Sequence, residues 1–271
     1  AQVERRADSA FARIYCVPQA LVDGARHVMV LQPISAKIPP RPVPQPTPAA
    51  EVVAAIQARG RRAAALPLDA AESAGFAAFA AAVRAQLQAW DRTGLDGLVN
   101  NAGEGHYAPF AETTPEAFDH LVAVHLKGPY FLTQALLPLL AEGSRILNIS
   151  SGLARFALPG SSAYAMMKGG VEVLTRYLAK ELGARGISAN TLALGAIETD
   201  FGGGRVRDNA EVNAMVASAT ALGRAGQRPD LEHPLPAERR NHPETEQARP
   251  DKPDREYEFV QQHEATAMPG A

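Results

Sequence analysis

Tyr164 and Lys168 stand four residues apart, a spacing that on a helix puts both side chains on one face, one turn from each other. A phenol titrates near about 10 and is a poor base at neutral pH. A cation beside it favours the ionised form, so Lys168 is placed to make Tyr164 a usable base. Alone, such a pair is equally well a surface helix pair. It gains meaning from its company: Asn100-Asn101-Ala102-Gly103 upstream, Ser151 thirteen residues before the tyrosine, and Gly195-Ala196-Ile197-Glu198-Thr199-Asp200 downstream.

From about residue 49 the chain alternates helical and strand patterns, as expected of a parallel sheet covered by helices. Residues 51–59 read as a helix stopped by Gly60, and residues 63–68 as a short apolar strand ending at Asp69. Residues 71–90 read as a helix with Phe76, Phe79, Val83 and Leu87 at helical spacing. Residues 95–100 read as a buried strand. Thr114 as N-cap, with Pro115 at the first helical position, opens a helix expected to reach about Leu140. Strands at 145–149 and 187–192 flank a helix that carries Tyr164 and Lys168 to the Gly183 region. Ser151 and Gly195–Thr199 then leave the carboxyl ends of neighbouring strands, the rim where open α/β sheets place ligands.

The flanks are different. Proline at 39, 40, 42, 44, 46 and 48 forbids a helix or central strand over 38–48; the segment reads as an extended linker, or else a polyproline ligand. Residues 228–271 are charged, proline-studded and poor in aliphatic side chains, the composition of a disordered tail. The expected organisation is one domain over 1–227 followed by that tail. A net charge of −2 argues against a nucleic-acid or anionic-membrane surface and favours a small-molecule partner. The single cysteine, Cys16, excludes an intrachain disulfide and an all-cysteine zinc site. No metal site is read from the sequence. With no spanning apolar run and no signal-peptide pattern, the expected location is cytoplasmic.

In order and spacing, Asn100–Gly103, Ile149-Ser150-Ser151-Gly152, Tyr164-x-x-x-Lys168 and Gly195–Asp200 resemble the short-chain dehydrogenase/reductase family over about residues 49–227. The resemblance implies a Rossmann-like, doubly wound three-layer α/β fold and an NAD(P)-dependent oxidoreductase that interconverts a secondary alcohol and a ketone. By the same resemblance, Tyr164 is the general acid/base, and Lys168 tunes it and bonds the nicotinamide ribose. Ser151 holds the substrate oxygen, whereas a capping or turn role suits Ser150. Asn101, Ala102 and Gly103 match the segment that passes along the cofactor, and Ile197 and Thr199 the stretch that binds the carboxamide. Asp69 matches an adenine-contacting position, and as an isolated aspartate it equally reads as a helix cap. A homo-oligomer is typical of the family, but the elements that often build it are not recognisable after Arg228.

The chain departs from the family pattern at four places. Leu194 replaces the proline that usually precedes Gly195. His125 stands where an asparagine usually anchors a proton-relay water; imidazole can also donate and accept, and a structural helix histidine is the competing reading. At the front, residues 20–26 start as the glycine-rich phosphate loop should, with Gly24 as its first glycine, but Val28 and Val30 take the places of the later glycines. The first helix and second strand then read as lost to the proline run, and the last strand as lost to the tail, so the choice between NAD and NADP is illegible. The alternative function is a catalytically silent binding or interaction protein, or a damaged gene product without a working dinucleotide loop.

Overall fold

The computed structural model describes residues 27–33, 48–227 and 230. The expectations for Gly24, for the proline run as far as Thr47 and for the tail beyond Asp230 lie outside the described residues. Five strands are present among those described: β1 (His27–Pro33), β2 (Arg62–Leu68), β3 (Leu95–Asn100), β4 (Leu140–Ser151) and β5 (Ser188–Leu194). The helices are α1 (Pro48–Gln57), α2 (Phe76–Ala89), α3 (Pro115–Val122), α4 (Gly128–Leu136), α5 (Ser162–Leu182), the single turn α6 (Arg205–Asp208) and α7 (Ala210–Ser218).

Every strand pairing is parallel, within the two sets β1–β2 and β3–β4–β5. Helices pack on these strands: α1 on β1 and β2, α2 on β2, and α5 on β4 and β5. The result is the expected α/β fold with a parallel sheet flanked by helices. One apolar core joins the two sets, with Leu68 of β2, the α2 stripe Phe76, Phe79, Val83 and Leu87, Leu98 of β3 and Ile146 of β4. That stripe is the one expected from its spacing. Burying each such side chain contributes about 1.5–3 kcal/mol.

The front of the chain corrects the sequence reading. His27–Pro33 is a strand, registered residue by residue against Arg62–Leu68, so Val28 and Val30 are strand residues and not failed loop glycines. The βαβ unit β1–α1–β2 is thus intact, and a second strand does precede α1. Pro48 closes the proline run as the first residue of α1, where its missing N–H leaves no intrahelical bond unmade. Strand β3 is less buried than expected: only Leu98 is fully enclosed, while Asp96 and Gly97 are exposed. No helix among the described residues is long and apolar enough to cross a membrane.

A buried polar chain ties the sheet to its helices. Asn148, fully enclosed in β4, accepts from Asn100 Nδ2 of β3 at 2.8 Å and donates to Thr175 Oγ1 of α5 at 2.8 Å. Asn100 Nδ2 also donates to Thr133 Oγ1 of α4 at 3.0 Å, and Thr175 Oγ1 donates to the Val171 carbonyl at 2.8 Å. Buried polar groups left without partners cost about 1–3 kcal/mol each. Asn148→Leu takes one bond each from Asn100 and Thr175, which keep those to Thr133 and Val171, and is expected to lower stability by about 2 kcal/mol in urea unfolding; a loss under about 0.5 kcal/mol would mean that the polar chain does not hold these layers together.

Candidate active site

The carboxyl ends of β4 and β5 are level, and β3 ends three residues earlier at the same edge. Asn100 is registered opposite Asn148, and Ser151 opposite Leu194, so the segments following these strands leave the sheet at one rim. Helix α5 brings Tyr164 and Lys168 to that rim through the buried stripe Tyr164, Met167, Lys168, Val171 and Thr175. Lys168 Nζ donates to the Ile149 carbonyl of β4 at 2.9 Å and lies 5.5 Å from the centre of the Tyr164 ring. The Ser151 side chain lies close enough to Tyr164 to favour its ionised form, and its Oγ accepts from the Leu153 N–H at 3.2 Å, capping the turn that follows β4. The capping role expected of Ser150 therefore falls to Ser151. Ser150 is buried instead, its hydroxyl 3.2 Å from the Lys168 carbonyl and donating to Glu172 Oε1 at 3.0 Å.

Burial decides the protonation states. It pushes the Tyr164 phenol above its ordinary range, and the nearby Ser151 side chain offsets this only in part. It draws the Lys168 ammonium down from 10.5 to about 8. In the protein alone, burial and not the Lys168 charge therefore sets the direction of the Tyr164 shift. In a low-dielectric setting each neutral form is favoured, so in the protein alone Tyr164 is a neutral phenol.

His125 sits in a wide π-helical turn, Ala123–Lys127, between α3 and α4; the single long helix expected to reach about Leu140 is thus divided, and it ends at Leu136. Pro129 accounts for the division. It has no N–H, and in a regular helix its ring would press on the carbonyl of His125; the wider turn relieves that clash. Gly128 lets the turn approach the chain after β2, since a Cβ there would fall 2.7 Å from the Ala70 carbonyl oxygen. The His125 side chain is 1% exposed and packs edge-on against Tyr164, ring centroids 5.3 Å apart.

Its Nε2 lies 2.9 Å from the Glu104 carbonyl, closer than the 3.4 Å approach of the Glu104 N–H, so Nε2 carries the proton and donates it. Nδ1 is then an acceptor, buried and without a hydrogen-bond partner. A Cβ on Gly103 would fall 3.4 Å from that Nδ1 and 3.8 Å from Lys168 Nζ, so imidazole and ammonium border the same glycine. Burial first, and then the Lys168 charge, lower the imidazole to about 3.

Gly103, His125, Ser151, Tyr164 and Lys168 thus form one contact group. Asn101 is half-buried and Ala102 exposed at the same rim. Thr199 is buried and accepts from the Phe201 N–H at 3.3 Å. Ile197 pairs with Gly226, which also bonds Ala196 and Glu198 through the backbone at 2.9 Å each. Asp69 follows β2, and its Oδ1 accepts from the Ala71 N–H at 2.9 Å in a turn; it caps no helix, since the next helical turn opens at Ser73 with Glu72 before it. Sequence reasoning missed the Ile149 and Glu104 carbonyls, since a main-chain acceptor has no residue-type signal. It also missed Asn148, whose signal was a polar residue inside an apolar strand. Among the described residues no cluster of three His, Cys, Asp or Glu side chains could hold a metal ion.

Two pH effects follow with opposite locations. His125 titrates near about 6.5 when unfolded and about 3 when folded, so the stability it supplies is complete above 6.5 and is lost as pH falls towards 3. Between pH 7 and 4.5 wild type is expected to lose on the order of 2 kcal/mol more than His125→Asn. Lys168 is penalised as a folded cation below about 8, and the penalty fades as pH rises towards 10.5. Stability should therefore rise by on the order of 2 kcal/mol from pH 7 to 10 in wild type relative to Lys168→Met. Parallel curves for wild type and variant in either denaturation series would contradict the corresponding assignment.

Residues 44–233 match the family model described as enoyl-(acyl carrier protein) reductase. The chain is 33% identical over 180 residues to an uncharacterized oxidoreductase of Methylorubrum extorquens, covering 66% of this chain and 71% of that protein. It spans about half the length of other curated relatives, among them an NADPH-dependent aldehyde reductase-like chloroplastic protein of Arabidopsis thaliana, 36% identical, with 49% of this chain and 50% of that one covered. Among solved structures it is similar to a short-chain dehydrogenase of Burkholderia cenocepacia in complex with NADP, with 30% identity, 79% and 80% of the two chains covered and a TM-score of 0.66. It is also similar to the reductase LugOII, which catalyses keto-reduction in lugdunomycin biosynthesis, with 35% identity, 67% and 71% covered and a TM-score of 0.62. Fold, rim geometry and these matches agree: the chain belongs to the short-chain dehydrogenase/reductase family.

Proposed function

We propose that this protein is an NADP(H)-dependent oxidoreductase that interconverts a ketone and a secondary alcohol, with Tyr164 exchanging the proton. The observation that carries the proposal is the Lys168 ammonium, held on the Ile149 carbonyl two residues before Ser151, 5.5 Å from the centre of the Tyr164 ring. Bound NADPH would supply the hydride to the carbonyl carbon. Ser151 and Tyr164 would together hold the carbonyl oxygen, and the neutral phenol would give it a proton as that oxygen gains charge. The tyrosinate left behind lies beside Lys168, whose cation stabilises it, and an ammonium drawn down to about 8 can return the proton near neutral pH. His125, neutral and with its acceptor Nδ1 at the same glycine, takes the place of the relay asparagine as a hydrogen-bond acceptor and not as an acid.

The donor set fits a dinucleotide. Lys168 has three N–H donors and one hydrogen-bonded acceptor in the Ile149 carbonyl, which suits a ribose diol, and Asn101, Ala102, Gly103, Ile197 and Thr199 sit at the rim to take the nicotinamide end. None of the residues His27–Pro33 is acidic; a carboxylate at the end of that strand would favour NAD and repel a 2′-phosphate. NADP in the complex of the Burkholderia relative supports the same choice. Val28 and Val30 lie in β1 and so no longer argue for the catalytically silent alternative; its other grounds, the divergent ends, lie outside the described residues.

With NADPH and a ketone, Tyr164→Phe is expected to lower kcat/KM by about 10²–10⁴-fold while leaving NADPH affinity within about twofold, whereas Lys168→Ala should weaken both. Retention of wild-type kcat/KM by Tyr164→Phe would overturn the assignment.

A further inference from the structure

Resting on that reading, we infer that the substrate carries a flat aromatic ring system next to its carbonyl, gripped by Tyr107, Phe156 and Phe201. These rings come from three separate segments, and each is seated on a glycine at the rim. A Cβ on Gly152, next to Ser151, would fall 2.7 Å from the Phe156 ring. One on Gly160, two residues before α5, would fall 2.8 Å from the Tyr107 ring, and one on Gly105 would fall 3.3 Å from the Phe201 ring. Any larger residue at Gly152 or Gly160 would push its ring away.

The placement is enforced. Phe201 lies 6.0 Å from Tyr164, centroid to centroid, and the three glycines after it have φ of 60°, 75° and 77°, a left-handed run that L side chains resist. The Arg205 guanidinium lies 3.9 Å from the centre of the Tyr107 ring, tying the 104–110 loop to the 201–208 segment by a cation–π contact. The Ala108 N–H donates to the Gly160 carbonyl at 3.0 Å, and the Phe156 N–H to the Gly152 carbonyl at 3.2 Å, fixing both backbones.

Phe156 is 56% exposed and Tyr107 47% exposed. Each of these two rings thus keeps about half of its surface open beside the site, the Tyr107 ring being covered by Arg205. Aromatic rings are best covered by other aromatic rings in offset or edge-on contact. These loops, which carry no acid, base or nucleophile for the reaction, therefore select the substrate by shape and ring character.

The test compares kcat/KM for 1-tetralone, a fused aryl ketone, with that for cyclohexanone, using NADPH, in wild type and in Phe156→Ala and Tyr107→Ala. Both side chains are substantially exposed, so folding should survive. 2-Naphthol binding, followed by its own fluorescence, gives a readout independent of turnover. The expected results are a preference for tetralone of at least about tenfold that falls towards one in either variant, and naphthol binding weakened at least about fivefold. Reduction of cyclohexanone as efficient as that of tetralone would overturn the aromatic grip while leaving the oxidoreductase reading intact. Failure to reduce either ketone, with naphthol binding that the variants weaken, would overturn the reaction and keep the grip.

Discussion

A lysine ammonium enclosed between a helix and a strand is the constraint on which the site depends. Lys168 is 6% exposed, and a buried cation survives only where acceptors replace water. The Ile149 carbonyl at 2.9 Å is such an acceptor, and reaching it holds the first turns of α5 against the end of β4. Tyr164, one turn earlier, is carried to Ser151 by the same docking. Lower down, the Thr175 bond to Asn148 fastens the helix a second time. With the Ser150 contacts to the Lys168 carbonyl and Glu172 between them, these polar contacts set both the position and the rotation of α5, and apolar packing through Met167 and Val171 fills the remaining space.

The same burial gives the site a direction. With the phenol held neutral and the ammonium drawn to about 8, the resting protein is prepared to donate a proton, which is the requirement of carbonyl reduction. Neutral His125 adds no competing positive charge beside Lys168. Its orphaned Nδ1 and the lysine face one glycine, so a side chain at position 103 would displace the imidazole that packs against Tyr164.

Much of this was legible in the residues. Tyr164, Lys168 and Ser151 announced themselves by type and spacing, because a helix and a strand end convert sequence interval into geometry. The α2 stripe and the Thr114 cap were legible for the same reason: the Thr114 side chain accepts from the Ala117 N–H at 3.2 Å. What stayed hidden depends on partners far away in the chain. The strand His27–Pro33 was obscured because Gly24 and the valines were fitted to a loop pattern, and only its pairing with Arg62–Leu68 reveals its state. The direction of the Tyr164 shift was missed because a neighbouring charge is visible in sequence and burial is not. The π-helical turn needed Pro129 to be weighed against the His125 carbonyl, a conflict between a local residue and the helix it interrupts.

The most direct test is ultraviolet titration of tyrosinate in the free protein, wild type against Tyr164→Phe. If burial governs the site, the two difference spectra coincide up to about pH 10, because Tyr164 keeps its proton above the ordinary range of about 10. A tyrosinate signal present in wild type near pH 8 and absent in Tyr164→Phe would contradict the account, and would return the tuning of Tyr164 to the Lys168 charge.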